Sequence, residues 1–450
     1  MPRQDLALEQ QSGPAKDRFG RQEGLVLAFA SAVVALLASF ATVGSTIPLF
    51  NIYRAQDGFS SADISLTVVA YSVGTLGTLL GTGRLSNYTG RRPVSIASLA
   101  FLIAGTLTLL NVHHIGILIA GRLLMGFGAG LASSSLTSYI VDAAPARPAW
   151  LASVASSQPV MLGLAVGAVV SGALVQFGPW PRDLVYIVDI GFLLLAAVMV
   201  AVSPETVTRT SGGWRSLRPS VHLPVGVRDL LPVAAAVFLA IWATGAFYQA
   251  FVPALVKDQL GTDSPLVLGL VFAAYMGASA LGAPIGGRFT VAGAQRVGMV
   301  GFVAGWMGLV TAIATGALPV FITATVLAGA GQGVAISAAT RALLHGGTSA
   351  DRAPILAVVY LVSYSGASIP SLISAQLSGA FSLPQISLGY GGLALLATLF
   401  TALSAHNPRT PAISESPVSV AGSRQRGQPV TIWTTEPDLP ATECAALIPN

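Results

Sequence analysis

Two ionisable residues stand inside long apolar stretches of this sequence, where a charge is unfavourable. Arg122 lies in AGRLLMGFGAG, and Asp189 lies in LVYIVDIGF. An arginine in a membrane-spanning helix costs about 2.5–3.5 kcal/mol unless it is paired or faces water. At that depth a guanidinium and a carboxyl group could hold a proton or a solute, so both residues are candidate functional groups. Asp189 is also the candidate counter-charge of Arg122, and we predict that the two form an ion pair.

A second set of charges interrupts the apolar sequence at GRLSNYTGRRPV, residues 83–94. Three arginines lie in this stretch of a chain that carries only 9% charged residues. Asn87 lies between them, and its amide can bond helix ends or guanidinium groups. The pattern predicts a short, positively charged turn between two buried helices.

The composition indicates a polytopic membrane protein. Of the 450 residues, 53% are hydrophobic and 9% are charged, whereas soluble domains carry about 25% charged residues. The lone Cys444 and five scattered histidines provide neither a disulfide framework nor a metal cluster. There is no Walker lysine motif and no acid, base and nucleophile cluster, so we expect no enzyme activity, no cofactor and no nucleic-acid partner.

Twelve apolar segments are long enough to span a bilayer, which needs about 20 residues. A polar stretch, 203–228, divides them into six and six, which predicts an all-α protein of twelve transmembrane helices in two pseudo-symmetric halves. The predicted organisation is an N-terminal segment 1–24, a first bundle 25–202, the central loop 203–228, a second bundle 229–405 and a disordered tail 406–450. The predicted spans are 25–50, 62–83, 93–111, 115–141, 150–176, 183–202, 229–256, 265–289, 295–317, 318–344, 354–378 and 383–405.

Positive charge predicts the orientation of these spans. With the N-terminus inside, nineteen of the 23 lysines and arginines fall in the termini and inner connections, and three fall in outer ones. The excess predicts that both termini are cytoplasmic. Alanine-rich and lysine-poor usage indicates a bacterium with a GC-rich genome, so we expect the protein to lie in the inner (plasma) membrane. We also expect a monomer.

The two halves carry traces of an internal repeat. Shifted by 204 residues, Ala70-Tyr71 aligns with Ala274-Tyr275 and Arg92 aligns with Arg296. Duplicated six-span halves are typical of secondary transporters, which bind solute near the midplane between the repeats.

The turn after the second span makes the chain resemble the major facilitator superfamily over residues 25–405. The family pattern is G-x-L-x-D-x-x-G-R-[RK], and here Asn87 replaces the acid. The resemblance implies a cytoplasmic gate motif in which that acid ties the two half-bundles together. We predict either a weaker gate or a gate held by Arg91 and the neighbouring helix ends. The gate residues are Gly83, Asn87, Gly90, Arg91 and Arg92.

The resemblance also implies a role for Arg122 in coupling protons to transport. The structural alternative is that Arg122 braces span four against span one through backbone carbonyls or the hydroxyls of Ser39 and Thr42. Span five resembles the G-P-x-x-G-G motif of antiporters, with alanine for proline and serine for one glycine, which favours export. Small residues also allow close helix packing in any membrane protein. The positions are Gly167, Ala168, Ser171 and Gly172.

The resemblance implies a solute cavity lined mainly by spans one, four, seven and ten, with contributions from spans five, eight and eleven. Amides and aromatic rings there, with almost no fixed charge, favour a neutral or hydrophobic solute, although such rings are often ordinary packing. The predicted substrate-binding residues are Gln158, Trp242, Tyr248, Gln249, Gln332 and Tyr364.

Three functions follow as hypotheses. The first is proton-coupled efflux of a small hydrophobic or neutral solute. The second is symport of a sugar or other neutral metabolite into the cell. The third is a transport-dead membrane sensor or scaffold whose tail binds partners.

Overall fold

The computed structural model describes residues 5–145, 147–148, 150–210, 227–345 and 349–408, and these residues form helices and no strands. The helices, numbered in chain order, are α1 (Asp5–Ser45), α2 (Phe50–Gln56), α3 (Ser61–Thr82), α4 (Ser86–Thr89), α5 (Arg91–Leu109), α6 (Ile115–Ala143), α7 (Trp150–Phe177), α8 (Asp183–Val202), α9 (Leu231–Ala250), α10 (Val252–Asp258), α11 (Pro265–Ala280), α12 (Gly282–Gly286), α13 (Val291–Thr315), α14 (Leu318–Leu344), α15 (Ser349–Leu377) and α16 (Leu383–Ser404).

Twelve helical segments of this part of the chain are long and apolar enough to cross a membrane, which confirms the predicted number. They must be helical because lipid offers no partner for backbone N–H and C=O groups. Span one consists of α1 and α2, and α10 and α12 extend spans seven and eight. The remaining spans, in order, are α3, α5, α6, α7, α8, α9, α11, α13, α14, α15 and α16.

Several boundaries differ from the predicted ones. Residues 5–24, predicted as a separate polar segment, belong to α1, and span one continues to Gln56 rather than 50. Span nine begins at Val291 rather than 295, because the Thr290 hydroxyl caps the helix by accepting from the Gly293 N–H at 3.2 Å. Of the predicted disordered tail, only residues 406–408 lie within the described residues, and 211–226 of the central loop lie outside them.

The ends of the spans define two faces of the bundle. We call the end that carries the 83–92 turn the motif face, and the end that carries residues 57–60 the far face. Spans one to six form the first half and spans seven to twelve the second half. Across the halves, α7 packs against α11 and α3 packs against α15.

Small residues allow span five to lie close to both of its neighbours. A methyl group at Gly167 would overlap the carbonyl oxygen of Ala41 on span one. On the opposite side, Gly269 of span eight lies against the carbonyl of Ala168. Span five therefore contacts span one of its own half and span eight of the other half through closely approaching backbones rather than large side chains.

Replacing Gly167 with alanine should destabilise the protein, because the added methyl group has no room beside Ala41. Overpacking of this kind costs about 1–3 kcal/mol. We expect a lower melting temperature for the purified protein in detergent micelles.

The matched control is Gly191→Ala on span six, where an added methyl group meets nothing within 4 Å. This control should keep or raise the melting temperature, since alanine favours helix by about 1 kcal/mol over glycine. Equal shifts for the two variants would contradict the close crossing at Gly167.

Candidate functional site

Span one is broken between Ser45 and Phe50. Pro48 lies in this break and has no N–H, so it cannot bond the carbonyl of Gly44, which instead accepts from the Ile47 N–H at 3.2 Å. The break frees the carbonyl of Ser45, which accepts a hydrogen bond from the Ser171 hydroxyl of span five at 2.6 Å. Broken helices at this depth are tolerated where side chains satisfy the backbone, and they mark ion and solute sites in transporters.

Span seven is broken at a related place. α9 ends at Ala250 and α10 begins at Val252, and Pro253 lacks the N–H that would bond the carbonyl of Gln249. Gln249 lies 204 residues after Ser45, so the repeat places both residues at the break of the first span of their half.

Arg122 joins these two breaks. Its side chain is fully buried, and it donates to the Thr46 hydroxyl at 3.0 Å and to the Val43 carbonyl at 3.5 Å. It also donates to Oε1 of Gln249 at 3.3 Å, across the boundary between the halves. The guanidinium lies 4.8 Å from the centre of the Tyr71 ring. The ring centre of Phe50 lies 6.0 Å away, so the positive charge is held by oxygen dipoles and two aromatic rings.

The predicted ion pair between Arg122 and Asp189 is wrong. Within the described residues no carboxylate pairs with Arg122. The carboxyl group of Asp189 instead receives a hydrogen bond from the Ser45 hydroxyl at 2.5 Å. Ser45 and Thr46 are consecutive, so the two buried ionisable groups are linked through span one.

The alternative, a brace between spans four and one, agrees with the structure in its use of a backbone carbonyl, that of Val43. The predicted hydroxyls are wrong, because Ser39 and Thr42 bond the carbonyls of Ala35 and Ala38 in their own helix. Both hydroxyls lie one or two turns before the break, where α1 is regular. The break supplies the partners that Arg122 uses.

The predicted substrate residues are three aromatic residues and three glutamines, and the aromatic ones are packed side chains. Trp242 and Tyr364 contact each other, with ring centres 4.7 Å apart, across α9 and α15. Tyr248 is fully buried, stacks on Tyr275 at 3.8 Å and bonds the Thr325 hydroxyl at 3.0 Å. Its contacts are those of a packed side chain.

The remaining amides lie on separate helices. Gln249 is bound to Arg122. Gln332 is buried on α14, and Gln158 is half-buried on α7 beside Pro159. The structure therefore brings Gln249 to Arg122 but does not collect the three amides around one point.

A cavity of about 250 Å³ opens at the motif face between spans two, four and eleven. None of the predicted substrate residues lines it. Its polar lining comes largely from the hydroxyl groups of span four. The lining residues are Leu79, Leu80, Gly83, Arg84, Asn87, Ser133, Ser134, Thr137, Ser138, Leu356, Ala357 and Tyr360.

Contacts at the far face hold the halves together. The side-chain amide of Asn51 donates to the Pro253 carbonyl at 2.8 Å, and Arg54 pairs with Asp258 at 3.1 Å. These residues lie on α2 and α10, the short helices that follow the two breaks. The halves are therefore bonded to each other at the far face, where a cavity of about 300 Å³ also lies between α2, α10 and the start of α11, while the cavity of about 250 Å³ opens at the motif face.

In the gate motif, Arg91 is the centre of the hydrogen bonds. Its guanidinium binds Asp142 at 2.8 Å, the Ser86 hydroxyl at 2.8 Å and Oδ1 of Asn87 at 2.5 Å. Gly90 has φ 104°, a conformation that favours glycine. Asn87 thus keeps a bond to the motif's arginine within the first half.

Glu205 completes this loop and was missed from the sequence, where it fell in a stretch interpreted only as a linker. Its carboxylate accepts from the backbone N–H groups of Arg91 and Arg92 at 2.8 and 3.0 Å, and so caps α5. The hydroxyl of Tyr139 bonds the carbonyl of Pro204 alongside. An acid directly after span six, close to a helix start rich in arginine, was the available signal.

The second half repeats this arrangement with other side chains. Arg296 donates to the carbonyls of Ala402 and Ala405 at 3.1 and 2.6 Å, at the end of α16. Oδ1 of Asn407 accepts from the Ala292 N–H at 3.0 Å, near the start of α13. In each half, a residue just after the last span binds the start of the third span.

The far-face ion pair should bias the conformation. An exposed pair contributes about 0.2–1 kcal/mol, so Asp258→Asn should favour conformations in which the halves separate at this face. The measurement is double electron–electron resonance between spin labels at Asn111→Cys and Gly379→Cys, in a Cys444→Ser background. We expect a larger population of long distances.

Two controls accompany this measurement. Asp263→Asn removes a partner of Lys257, 3.3 Å away and within the second half, and should leave the distances unchanged. Exchanging the charges, with Arg54→Asp and Asp258→Arg together, should restore the wild-type distribution. A shift of the same size for Asp263→Asn would contradict a locking role.

Removing the Glu205 carboxylate should destabilise the motif face, because two N–H groups of α5 lose their acceptor. Loss of a cap costs about 0.5–2 kcal/mol. Glu205→Ala should therefore lower the melting temperature more than Glu205→Gln, which keeps one oxygen. Glu23→Ala, at an exposed position, is the control; if it lowers the melting temperature equally, Glu205 is not a cap.

Comparison with known proteins agrees with this architecture. The solved structure of a D-xylose–proton symporter superposes on this chain with a TM-score of 0.67. The superposition covers 86% of this chain and 98% of that one at 18% sequence identity, which shows a shared fold. The curated relatives include the sugar transporter ERD6-like 16 of Arabidopsis thaliana, 24% identical over 68% of this chain and 62% of its own length. They also include the multidrug resistance protein MdtL of Klebsiella pneumoniae, 27% identical over 51% and 59%.

A shorter match is the myo-inositol transporter 1 of Cryptococcus neoformans, 40% identical over 80 residues, 17% of this chain and 14% of that protein. The chain thus covers less than two thirds of the length of each of these curated relatives. The sequence profile of the Major Facilitator Superfamily matches residues 27–263, more than half of the chain. The chain therefore belongs to the Major Facilitator Superfamily, a family of membrane transporters.

Proposed function

We propose that this protein is a proton-coupled secondary transporter that exports a small, neutral or hydrophobic organic solute. The observation that carries the proposal is the link from Asp189 through Ser45 and Thr46 to Arg122, and from there to Gln249 in the other half. A proton that binds in the first half can thereby alter a bond between the halves.

The protonation state of Asp189 should affect this link. When Asp189 is ionised, its carboxylate accepts a charge-assisted hydrogen bond from Ser45, next to the Thr46 that binds Arg122. When a proton neutralises Asp189, this bond weakens, and the break in span one is held less firmly beside Arg122. Protonation thus changes the strength of the contact between the halves, which is the requirement for coupling.

Alternating access follows from rocking the two halves about this centre. In the conformation described, the halves meet at the far face through Arg54 and Asp258, and a cavity opens at the motif face. The reverse conformation would break that ion pair and close the motif face over the gate turn. In this proposal, residues 25–202 and residues 229–405 are the two bundles that move against each other.

We place the motif face in the cytoplasm of a bacterium, as the excess of arginine at that face indicates. The protein would lie in the inner membrane as a monomer with both termini inside. Trp242 and Tyr364 would offer ring surfaces to the solute, and Gln158 and Gln332 would offer amides. The small-residue motif of span five favours export over import.

The second candidate is uptake of a sugar or polyol by symport. Two observations favour it: relatives are named as sugar and myo-inositol transporters, and serine and threonine hydroxyls of span four line the motif-face cavity. Both candidates use the same coupling centre and differ in solute and direction.

The test expresses the protein in cells that lack their own efflux pumps and measures ethidium accumulation. The wild type should lower accumulation, and a protonophore should abolish the effect. Arg122→Ala and Asp189→Asn should each reduce active export by about 100-fold, as expected when a group that handles the proton is removed. Arg228→Ala, at an exposed position of the motif face, should export normally.

Uptake of labelled D-xylose and myo-inositol by the same cells separates the two candidates. Proton-dependent uptake without ethidium export would replace export by symport. Full ethidium export by Asp189→Asn would contradict the coupling role of this carboxyl group.

A further inference from the structure

Two buried tyrosines lie between the far face and Asp189. The hydroxyl groups of Tyr53 on α2 and Tyr186 on α8 are 2.6 Å apart, and both side chains are fully buried. A hydroxyl pair of this kind can pass a proton in either direction, because each oxygen both donates and accepts.

Polar groups lie between the outer side of this pair and the far-face solvent. The guanidinium of Arg182 lies 4.9 Å from the centre of the Tyr53 ring and pairs with Asp57 at 2.8 Å. Nδ1 of His113 lies 4.0 Å from Asp57, and the His113 side chain is 75% exposed. These groups lead from far-face water to the ring of Tyr53, whose hydroxyl is buried.

The inner end of the pair lies one helical turn from the coupling carboxyl group. Tyr186 precedes Asp189 by three residues on α8, so both side chains lie on the same side of the helix, about one turn apart. Ser45 then donates to the Asp189 carboxyl group at 2.5 Å.

We propose that Tyr53 and Tyr186 form a proton relay between the far face and Asp189; this inference rests on the proposed function. A proton from far-face water bonds to the oxygen of Tyr53, which releases its own proton to the oxygen of Tyr186. Tyr186 releases its own proton to the carboxylate of Asp189. Each hydroxyl gains one proton and loses one, and only Asp189 changes charge.

The location explains why a relay would be useful. Asn51 and Arg54 bond α2 to α10 at the far face, beside a cavity of about 300 Å³. A relay of hydroxyls admits a proton while this contact stays closed. The titratable and charged groups that face it are Asp57 after α2, Arg122 on α6, Arg182 and His113 from the far-face connections, and Asp183 and Asp189 on α8.

Tyr390 is a buried tyrosine in the second half that bonds the Ser374 hydroxyl at 3.2 Å and no carboxyl group of the described residues. Tyr390→Phe is therefore a matched control, since it removes a buried hydroxyl with one hydroxyl partner and leaves the relay intact.

The test follows the protonation of Asp189 directly. Infrared difference spectra of the purified full-length protein in proteoliposomes are recorded after a pH jump, and the Asp189 carboxyl band is identified by its absence in Asp189→Asn. Tyr53→Phe and Tyr186→Phe should each slow the change of this band by about tenfold or more, while Tyr390→Phe should match the wild type. Either variant alone breaks the relay, so one that folds is sufficient.

Unaltered rates in both variants would overturn the relay, as would a carboxyl band of Asp189 that never titrates in the wild type. Proton-driven movement of ethidium, measured in the same proteoliposomes, tests the proposed function separately. If the wild type moves no solute but the rates fall as expected, the relay stands and the proposed transport is wrong. If transport is proton-driven but the rates are unaltered, the transport stands and the relay is wrong.

Discussion

The buried charge of Arg122 is the constraint on which the arrangement of spans one, four and seven depends. A guanidinium without a carboxylate partner must be stabilised by oriented oxygens, because isolated buried charges are strongly unfavourable. The oxygens that bind this guanidinium belong to the Thr46 hydroxyl in the first break, the Gln249 side chain just before the second break and the Val43 carbonyl near the end of α1. The two breaks therefore lie where the polar groups that permit an arginine at this depth are found.

The two halves of the internal repeat share their helix arrangement but differ in their buried charges. Both halves begin with a broken span, and in both a residue after the last span binds the start of the third. The first half carries the buried charges, Arg122 and Asp189. Where the first half carries Glu205 after its last span, the second half carries the neutral Asn407. In the proposed coupling, a proton would act on the first half, and the second half would respond through neutral hydrogen bonds.

The features that could be predicted from the sequence are those that follow from local composition. Apolar length predicts the twelve spans, and the arginines with Gly90 predict the turn after span two. Side-chain partners could not be predicted, because span one has several hydroxyls at similar depth. Only the three-dimensional course of the chain around Pro48 selects Ser45 for Asp189. Glu205 was missed because it lies after the end of span six, where no helical periodicity indicates which way a side chain points.

The replacement of the family's acid by Asn87 fits the distribution of charge between the faces. Arg91 already has a carboxylate, Asp142, in its own half, and Asn87 adds a neutral bond to the same guanidinium. The charge of Arg91 is thus balanced within the first half. At the far face, by contrast, Arg54 and Asp258 attract each other across the boundary between halves. An ion pair between the halves favours contact at the face that has it, so this chain's charges favour the conformation with the motif face open.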